Sequence, residues 1–335
     1  MDVHDERLPV TRIALRSVGV AACAIGLLVV VAGCGSGGTP SDEFLSGGLA
    51  AEIQQRIDTL DYPAGQNNLA DMELANLQTQ LIHDCVVAEG LKVPPADLVG
   101  PGQGGFLAPD HSTIWLTAGS DFGVARQLQD PRVVALMRRT EQAEAAPTKP
   151  TDYPDNYDDV VYGADSDWIT FQDPNDDGST QVSIGGCFGK ATEEMYGVSA
   201  ETYQRTYYEK PWSEQVLEAA TAAKPVRAAT GHWSDCMNDH GYATKDPEEL
   251  GKYMSRWLSG FLDGSMSIDK VTSAERELAA ADKDCKTSSG LGTAVDKAFI
   301  TEADKVIKGK EGVITEYRKM VDHALALAKK EDLAP

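Results

Sequence analysis

Cysteine and histidine are the residue types in this sequence best suited to metal binding or thiol chemistry. His232, Cys236 and His240 follow one another at intervals of four residues, so a helix would present all three on one face. At this spacing they could ligate zinc if the thiol were free. In an exported chain, however, a disulfide is the expected state of such a cysteine, and a disulfide removes the central ligand. We therefore interpret Cys236 as a disulfide cysteine and predict no metal site.

Three other motifs match known site patterns only in part. Residues Asp173–Gly178 match the first half of a calcium loop, but Ile184 stands where the loop needs a bidentate glutamate. A tight hairpin turn also favours Asp and Gly, so a turn is the preferred interpretation and calcium binding at 173–177 the alternative. The glycines of 100–105 match G-x-G-x-x-G, but Pro101 interrupts them and no buried strand precedes them. Residues 267–270 match S-x-x-K, yet no Lys-Thr-Gly partner follows.

No catalytic motif is complete in the sequence. Neither G-x-S-x-G nor H-E-x-x-H occurs. Tyr153, Tyr157, Tyr162 and Trp168 lie among aspartates and could stack on sugar rings, although a solvated linker is the favoured interpretation of this stretch. The sequence therefore predicts no catalytic residue and no cofactor.

The first 33 residues have the layout of a secretory signal. Arg7, Arg12 and Arg16 precede an apolar run of 16 residues from Val18 to Gly33. A membrane-spanning helix needs about 20 residues, so the run predicts a targeting segment rather than a span.

A cysteine stands directly after this apolar run. The sequence from Val31 to Cys34 resembles a lipobox, in which the cysteine is diacylated and becomes the new N-terminus. Two acyl chains hold a protein stably on a membrane. Residues 34–50 are rich in Gly and Ser, which predicts a flexible tether. We expect a protein anchored by Cys34 to the extracytoplasmic face of the cell membrane.

The chain is strongly acidic. Its 52 acidic and 30 basic residues give a net charge of −22, which cleavage after Gly33 leaves unchanged because three of each lie before it. Such a surface repels nucleic acid and anionic headgroups, so we expect no nucleic-acid partner. The membrane, through the lipid, and an envelope protein are the expected partners.

Two short segments, 83–91 and 234–242, form an internal repeat. Each has Asp-Cys followed by an apolar residue, then a glycine five residues after the cysteine, then a large apolar residue. The pattern predicts a helix end in which Gly90 and Gly241 take the left-handed conformation and the next residue folds back onto the last turn.

Cys85, Cys187, Cys236 and Cys285 follow the lipid-anchor cysteine, and an even number predicts two disulfides. Of the three possible connectivities, the repeat favours Cys85–Cys187 and Cys236–Cys285, one per half of the chain. If each bridge acts by restricting the unfolded chain, it stabilises the fold by roughly 4–5 kcal/mol. The expected organisation is a helical extracytoplasmic domain over 51–335, with cysteine-containing halves at 51–198 and 199–335.

The second repeat copy carries a resemblance. The residues from Trp233 to Met237, with Gly241-Tyr242 and a second cysteine at Cys285, resemble a loose group of uncharacterised actinobacterial secreted lipoproteins with a Trp-x-x-Cys-Met-x-x-x-Gly-Tyr element. The first copy lacks the Trp and the Met. The resemblance implies an envelope location and no particular activity.

Helical periodicity dominates the coarse structure. Helices are predicted at about 70–89, 131–147, 189–197, 212–223, 226–240 and 247–262, with another from a Thr272–Glu275 capping box to Cys285. A heptad seam from Phe299 to Leu327, interrupted at Lys310, predicts one long helix with a weak middle or two helices in line. Strands at 167–171 and 181–184 predict a hairpin, and 94–109 and 148–167 are predicted to be loops. The expected fold is a mainly α unit with one small hairpin.

These observations favour a non-enzymatic envelope lipoprotein that acts in binding or scaffolding. A solute-binding lipoprotein of a transporter is the first alternative, but it requires two α/β lobes with several buried strands. An envelope hydrolase is the second alternative, and it requires a polar triad or a metal site.

Replacing Cys34 tests the predicted membrane anchor. Cys34→Ala should release the protein from membranes or leave it unprocessed, because the acylated residue is gone. Labelling with a radioactive fatty acid measures this directly: incorporation that survives the substitution would refute the predicted anchor.

Overall fold

The computed structural model describes residues 51–62, 68–96, 111–116, 122–129, 131, 134, 153–172 and 179–331. These residues form a mainly helical unit with one antiparallel β-hairpin, as the sequence predicts. Cys34, the glycines of 100–105, the loop 173–178 and most of 131–147 lie outside the described residues. None of the described helices is long and apolar enough to span a membrane.

The elements up to residue 200 are α1 Ala51–Leu60, α2 Asn68–Ala88, α3 His111–Leu116, α4 Val124–Leu128, α5 Tyr157–Tyr162, the 3-10 helix Asp165–Asp167, β1 Trp168–Gln172, β2 Ser179–Ser183 and α6 Gly186–Tyr196. The remaining elements are α7 Ala200–Glu209, α8 Ser213–Thr221, α9 Lys224–Asp239, the 3-10 helix Pro247–Leu250, α10 Gly251–Leu262, α11 Ile268–Ser289 and α12 Leu291–Lys330. The predicted helices at about 70–89, 189–197, 212–223, 226–240 and 247–262 are thereby confirmed within a few residues.

The C-terminal helix α12 organises the packing. It has 40 residues, which corresponds to about 60 Å of helix, and it contacts α1, α2, α3, α6, α7, α8, α9 and α11. Its apolar residues recur at heptad spacing and face these neighbours. The buried members are Leu291, Val295, Phe299, Ala303, Ile314, Tyr317, Met320, Val321, Ala324 and Ala328.

A kink divides α12 at the predicted point. Lys310 has a non-helical φ of −122° and ψ of 16°, and Gly309 and Gly312 flank it. Glycine is a weak helix former and the exposed lysine contributes no apolar contact, so the helix bends where its buried stripe is interrupted. The buried α12 residues before the kink, together with Ile314 just after it, pack in a first core with α1, α8, α9 and α11. The buried residues from Tyr317 onward pack in a second core with α2, α6 and α7.

The hairpin and its surroundings correct one loop prediction. The two strands pair in register from Trp168 opposite Ser183 to Gln172 opposite Ser179, close to the predicted positions. The preceding stretch 148–167, predicted to be a loop, contains α5 and a 3-10 helix instead. Val161 on α5 is buried with Phe188 of α6, so tertiary burial orders a segment whose local sequence is polar.

The predicted capping box is wrong, because α11 begins four residues before Thr272. Ser267 is the N-cap, and its hydroxyl accepts a hydrogen bond from the Lys270 amide. Thr272 lies inside the helix and donates to the Ile268 carbonyl at 2.8 Å. Glu275 is buried and accepts hydrogen bonds from the amides at the start of α4, at 2.9 and 2.7 Å. The glutamate satisfies the free N–H groups of a different, buried helix.

Both copies of the repeat end their helices in the same way. Gly90 has a φ of 89° and Gly241 a φ of 88°. In each copy the glycine N–H bonds to the carbonyl three residues earlier, and the following N–H bonds to the carbonyl five residues earlier. This is the Schellman hydrogen-bond pattern, so the repeat is a repeated helix end.

The cap glycine can be tested against a helical glycine in the same helix. A Cβ at Gly241 or at Gly231 would meet no atom within 4 Å, so backbone conformation alone separates the two sites. Gly241→Val should destabilise the fold by roughly 1–2 kcal/mol, Gly241→Ala less and Gly241→Asn least. Gly231→Ala should instead stabilise it, because alanine favours helix. Thermal unfolding of the oxidised protein measures all four, and equal effects of alanine at both sites would contradict the cap.

Candidate functional site

The Trp233–Met237 motif cross-links two parallel helices. Cys236 of α9 forms a disulfide with Cys285 of α11, and the Trp233 indole N–H donates to the Asp282 carboxylate at 3.0 Å. Both contacts join residues 49 positions apart, so one turn of α9 is matched to one turn of α11. Met237 is fully buried beside them. The residues of this motif therefore have a structural role.

Asp282 belongs to a buried ionic cluster and is not free to act as a catalytic acid. Its carboxylate lies 2.9 Å from the Lys286 ammonium, and both side chains are 1% exposed. The Lys286 ammonium also donates to the Ile114 carbonyl on α3. Burial raises the pKa of Asp282, whereas the charge of Lys286 and the hydrogen bonds from Lys286 and Trp233 oppose this shift. Removing either partner would leave a buried charge uncompensated.

The Cys85–Cys187 disulfide joins the end of α2 to the start of α6. Beside it, the Lys190 ammonium lies 2.6 Å from the Glu89 carboxylate at the surface. Both cysteine pairs are those that the repeat favours. The partner cysteines differ in position, however, since Cys187 lies in the first turn of its helix and Cys285 near the end of its own.

The histidines of the sequence-derived zinc pattern separate in the structure. His240 lies beside the disulfide, and the ligand atoms of Cys236, His240 and Cys285 all lie within 4.8 Å of one another. Within the residues that the structure describes, this is the one trio of metal-ligating side chains found so close together, and His232 is not part of it. The third ligand, Cys285, comes from another helix, which periodicity along α9 could not indicate.

A surface groove of about 810 Å³ lies just after the kink of α12. Its floor includes the buried Tyr196 and Met320, and its other lining residues come from the α6–α7 turn and from the outer face of α12. The complete lining consists of Tyr196, Gly197, Val198, Glu311, Gly312, Thr315, Glu316, Lys319, Met320 and His323. It combines a buried apolar floor with charged residues at its edges.

His323 is held in one orientation at the groove. Its Nδ1 lies 3.0 Å from the Met195 carbonyl, which can only accept, so Nδ1 carries a proton and donates to it. A Cβ at Gly197, whose φ is 69°, would lie 3.3 Å from the imidazole ring. The glycine therefore permits the close approach of the ring to the α6–α7 turn.

Lys210 is a buried ionisable residue beside Trp212. Its ammonium is buried, donates to the Leu60 carbonyl at the end of α1 and lies 3.3 Å from the centre of the Trp212 ring. Desolvation lowers the pKa of Lys210 to about 7, although the Asp61 carboxylate acts in the opposite direction. The Leu60 carbonyl and the Trp212 indole face also favour the charged form of Lys210, so they oppose the effect of burial on its pKa. The lysine links the end of α1 to the α7–α8 connection, and at 1% exposure it is inaccessible to substrate.

The tyrosine-rich stretch is folded rather than a solvated linker. Tyr153 packs on Tyr157 with ring centroids 4.5 Å apart, and Tyr162 lies 5.9 Å from Trp168. Tyr162 also contacts Phe188 of α6 at 6.2 Å. Tyr162 thus anchors α5 and the hairpin on the domain, while Trp168 is 36% exposed.

Comparison with protein-family models, with curated proteins and with solved structures finds no match for this chain.

The buried lysine predicts a specific pH dependence of stability. A lysine whose folded pKa lies below its unfolded value destabilises the fold fully below the folded pKa, and this penalty disappears as the pH rises toward the unfolded value. The wild-type unfolding free energy should therefore increase from pH 7 to 9.5 relative to that of Lys210→Met. The gain should be about 1.4 kcal/mol for each pH unit over which the unfolded chain holds a proton that folded Lys210 has lost.

Chemical denaturation at several pH values measures this difference. Lys224→Met, at an exposed site on α9, provides the matched control and should show the same pH profile as the wild type. Parallel profiles for the wild type and Lys210→Met would contradict the assigned cause.

Proposed function

We propose that this chain is a non-enzymatic lipoprotein of the cell envelope, anchored through Cys34 to the extracytoplasmic face of the membrane, where it binds or scaffolds a partner through the groove on α12. The charged segment, short apolar run and cysteine of the N-terminus support the anchor. The groove supports the binding role, and it is the observation that carries the proposal.

A hydrolase is less well supported, because the buried ionisable groups serve other purposes. Glu275 caps α4, Asp282 and Lys286 neutralise each other, and Lys210 closes α1. Since each of these groups satisfies buried partners, none is presented to a substrate. The described residues therefore favour a binding or scaffolding role over hydrolysis.

A solute-binding lipoprotein with two α/β lobes is also less well supported. Such lobes need several buried strands, whereas the described part of the chain has the two-stranded sheet of β1 and β2. That hairpin is half exposed along β1 and lies on the domain surface.

The groove chemistry favours a polypeptide segment that carries a positive charge. Glu311 and Glu316 stand on the rim, Lys319 is the basic residue among the lining side chains, and the whole chain has a net charge of −22. A volume of about 810 Å³ lies in the range of ligand sites and accommodates a few residues of peptide. The Met320 and Tyr196 floor would receive its apolar side chains.

Site-specific photocrosslinking in intact envelopes tests this assignment. A photoactivatable residue in place of Thr315, in the groove, should give one discrete protein adduct. The same residue in place of Thr301, exposed on the same helix before the kink, should not. Adding Glu316→Lys should lower the Thr315 adduct severalfold, because it reverses a rim charge, whereas Glu302→Lys outside the groove should leave it unchanged.

Equal adducts at Thr315 and Thr301 would contradict binding in the groove, as would their absence at Thr315. An adduct to a small solute or a glycan instead of a protein would contradict the polypeptide ligand.

A further inference from the structure

The neighbourhood of the Cys236–Cys285 bridge contains more ligand chemistry than a disulfide needs. His240 follows Cys236 by one helical turn at the end of α9, and Cys285 approaches from α11. The two sulfurs and a ring nitrogen of His240 lie within 4.8 Å of one another. Cys236 is half-buried and His240 is exposed, so the site opens to solvent on the α9 side, while Cys285 closes it from within.

We propose that a dithiol reductant converts this bridge into a zinc site formed by Cys236, Cys285 and His240, with water as the fourth ligand. Zinc binds thiolate at about 2.3 Å and imidazole at about 2.0 Å, which places tetrahedral ligand atoms roughly 3.5–3.8 Å apart. The reduced sulfurs need to separate by little more than a rotation about their Cα–Cβ bonds to reach these distances. Disulfide and zinc are then alternative cross-links between the same two helices.

The conversion balances in atoms and electrons. A thiolate of the dithiol attacks one sulfur of the bridge, the S–S bond breaks, and a mixed disulfide forms. The second thiol of the reductant displaces the protein thiolate, so the reductant leaves as its own disulfide and the protein gains two thiols. Zinc then takes the place of the two thiol protons, which are released. The complex of Zn²⁺ with two thiolates and a neutral imidazole has no net charge, which keeps the cost of burying Cys285 low.

The other bridge of the same chain lacks this capacity, although its helix end is the same. The residue one turn after Cys85 is Glu89, and Lys190 neutralises its carboxylate at 2.6 Å. No third ligand joins Cys85 and Cys187 within the residues that the structure describes. The zinc site is therefore a property of His240 and of its geometry, not of the repeated helix end.

Metal titration of the full chain under anaerobic conditions tests the proposal, with Cys85→Ser/Cys187→Ser removing the thiols of the other bridge. The reduced protein should bind one Co²⁺ per chain with thiolate-to-cobalt charge-transfer absorption, and Zn²⁺ should displace it. The oxidised protein should show no such absorption. His240→Ala should weaken the affinity at least tenfold, whereas His232→Ala, on the same helix but outside the trio, should leave it unchanged.

Equal cobalt binding by the oxidised protein, equal affinity in His240→Ala, or no binding by the reduced protein would each overturn the proposal. If the double serine variant fails to fold, the reduced wild-type chain replaces it. Zinc should then protect Cys236 and Cys285 from alkylation, but not Cys85 and Cys187. A reduced chain that loses its helical circular dichroism and does not regain it with zinc would likewise overturn the site.

Discussion

The buried stripe of α12 is the interaction on which the rest of the fold depends. A single helix of 40 residues exposes far more apolar surface than one neighbour can cover, so the chain returns to it repeatedly with α1, α2, α6, α7, α8, α9 and α11. Because the stripe is interrupted at Lys310, its residues divide between two cores, with α8, α9 and α11 mainly beside the first half and α2, α6 and α7 beside the second. Ile53 and Leu60 of α1 are buried in the core that contains the first half of α12, so this core joins the first and the last described helices.

The disulfide and the buried polar contacts fix the relative positions of helices, which hydrophobic packing alone specifies poorly. Apolar contacts tolerate sliding and rotation of one helix on another, whereas the disulfide and the Trp233–Asp282 hydrogen bond fix both the register and the direction of α9 on α11. Buried charged side chains also fix the positions of helices. Glu275 holds the short α4, and Lys286 holds the short α3, neither of which is long enough to be stable by itself.

The sequence predicted the parts of the fold that depend on local pattern, and it missed those that depend on distant partners. Heptad spacing was enough for α12 and its kink, and the cysteine–glycine offset was enough for both Schellman ends. By contrast, Thr272 and Glu275 have the spacing of a capping box, but Glu275 accepts hydrogen bonds from amides of α4, which is distant in the sequence. Helix α7 was missed for a different reason: Ser199 and the Tyr203–Tyr207 spacing do signal a helix, but its polar composition obscured them. His240 and Cys285 come together only through tertiary structure, so no single-helix pattern could have paired them.

The kink of α12 lies next to the proposed binding groove. Glu311 and Gly312 line the groove directly after Lys310, so the bend between the two cores also forms one end of the groove. The opposite wall comes from the turn after α6, whose helix begins at the Cys187 bridge. The groove therefore lies between the bent part of α12 and the turn at the end of α6, a helix whose first turn is held by the disulfide. Such an arrangement places backbone-defined walls on two sides of the proposed binding surface.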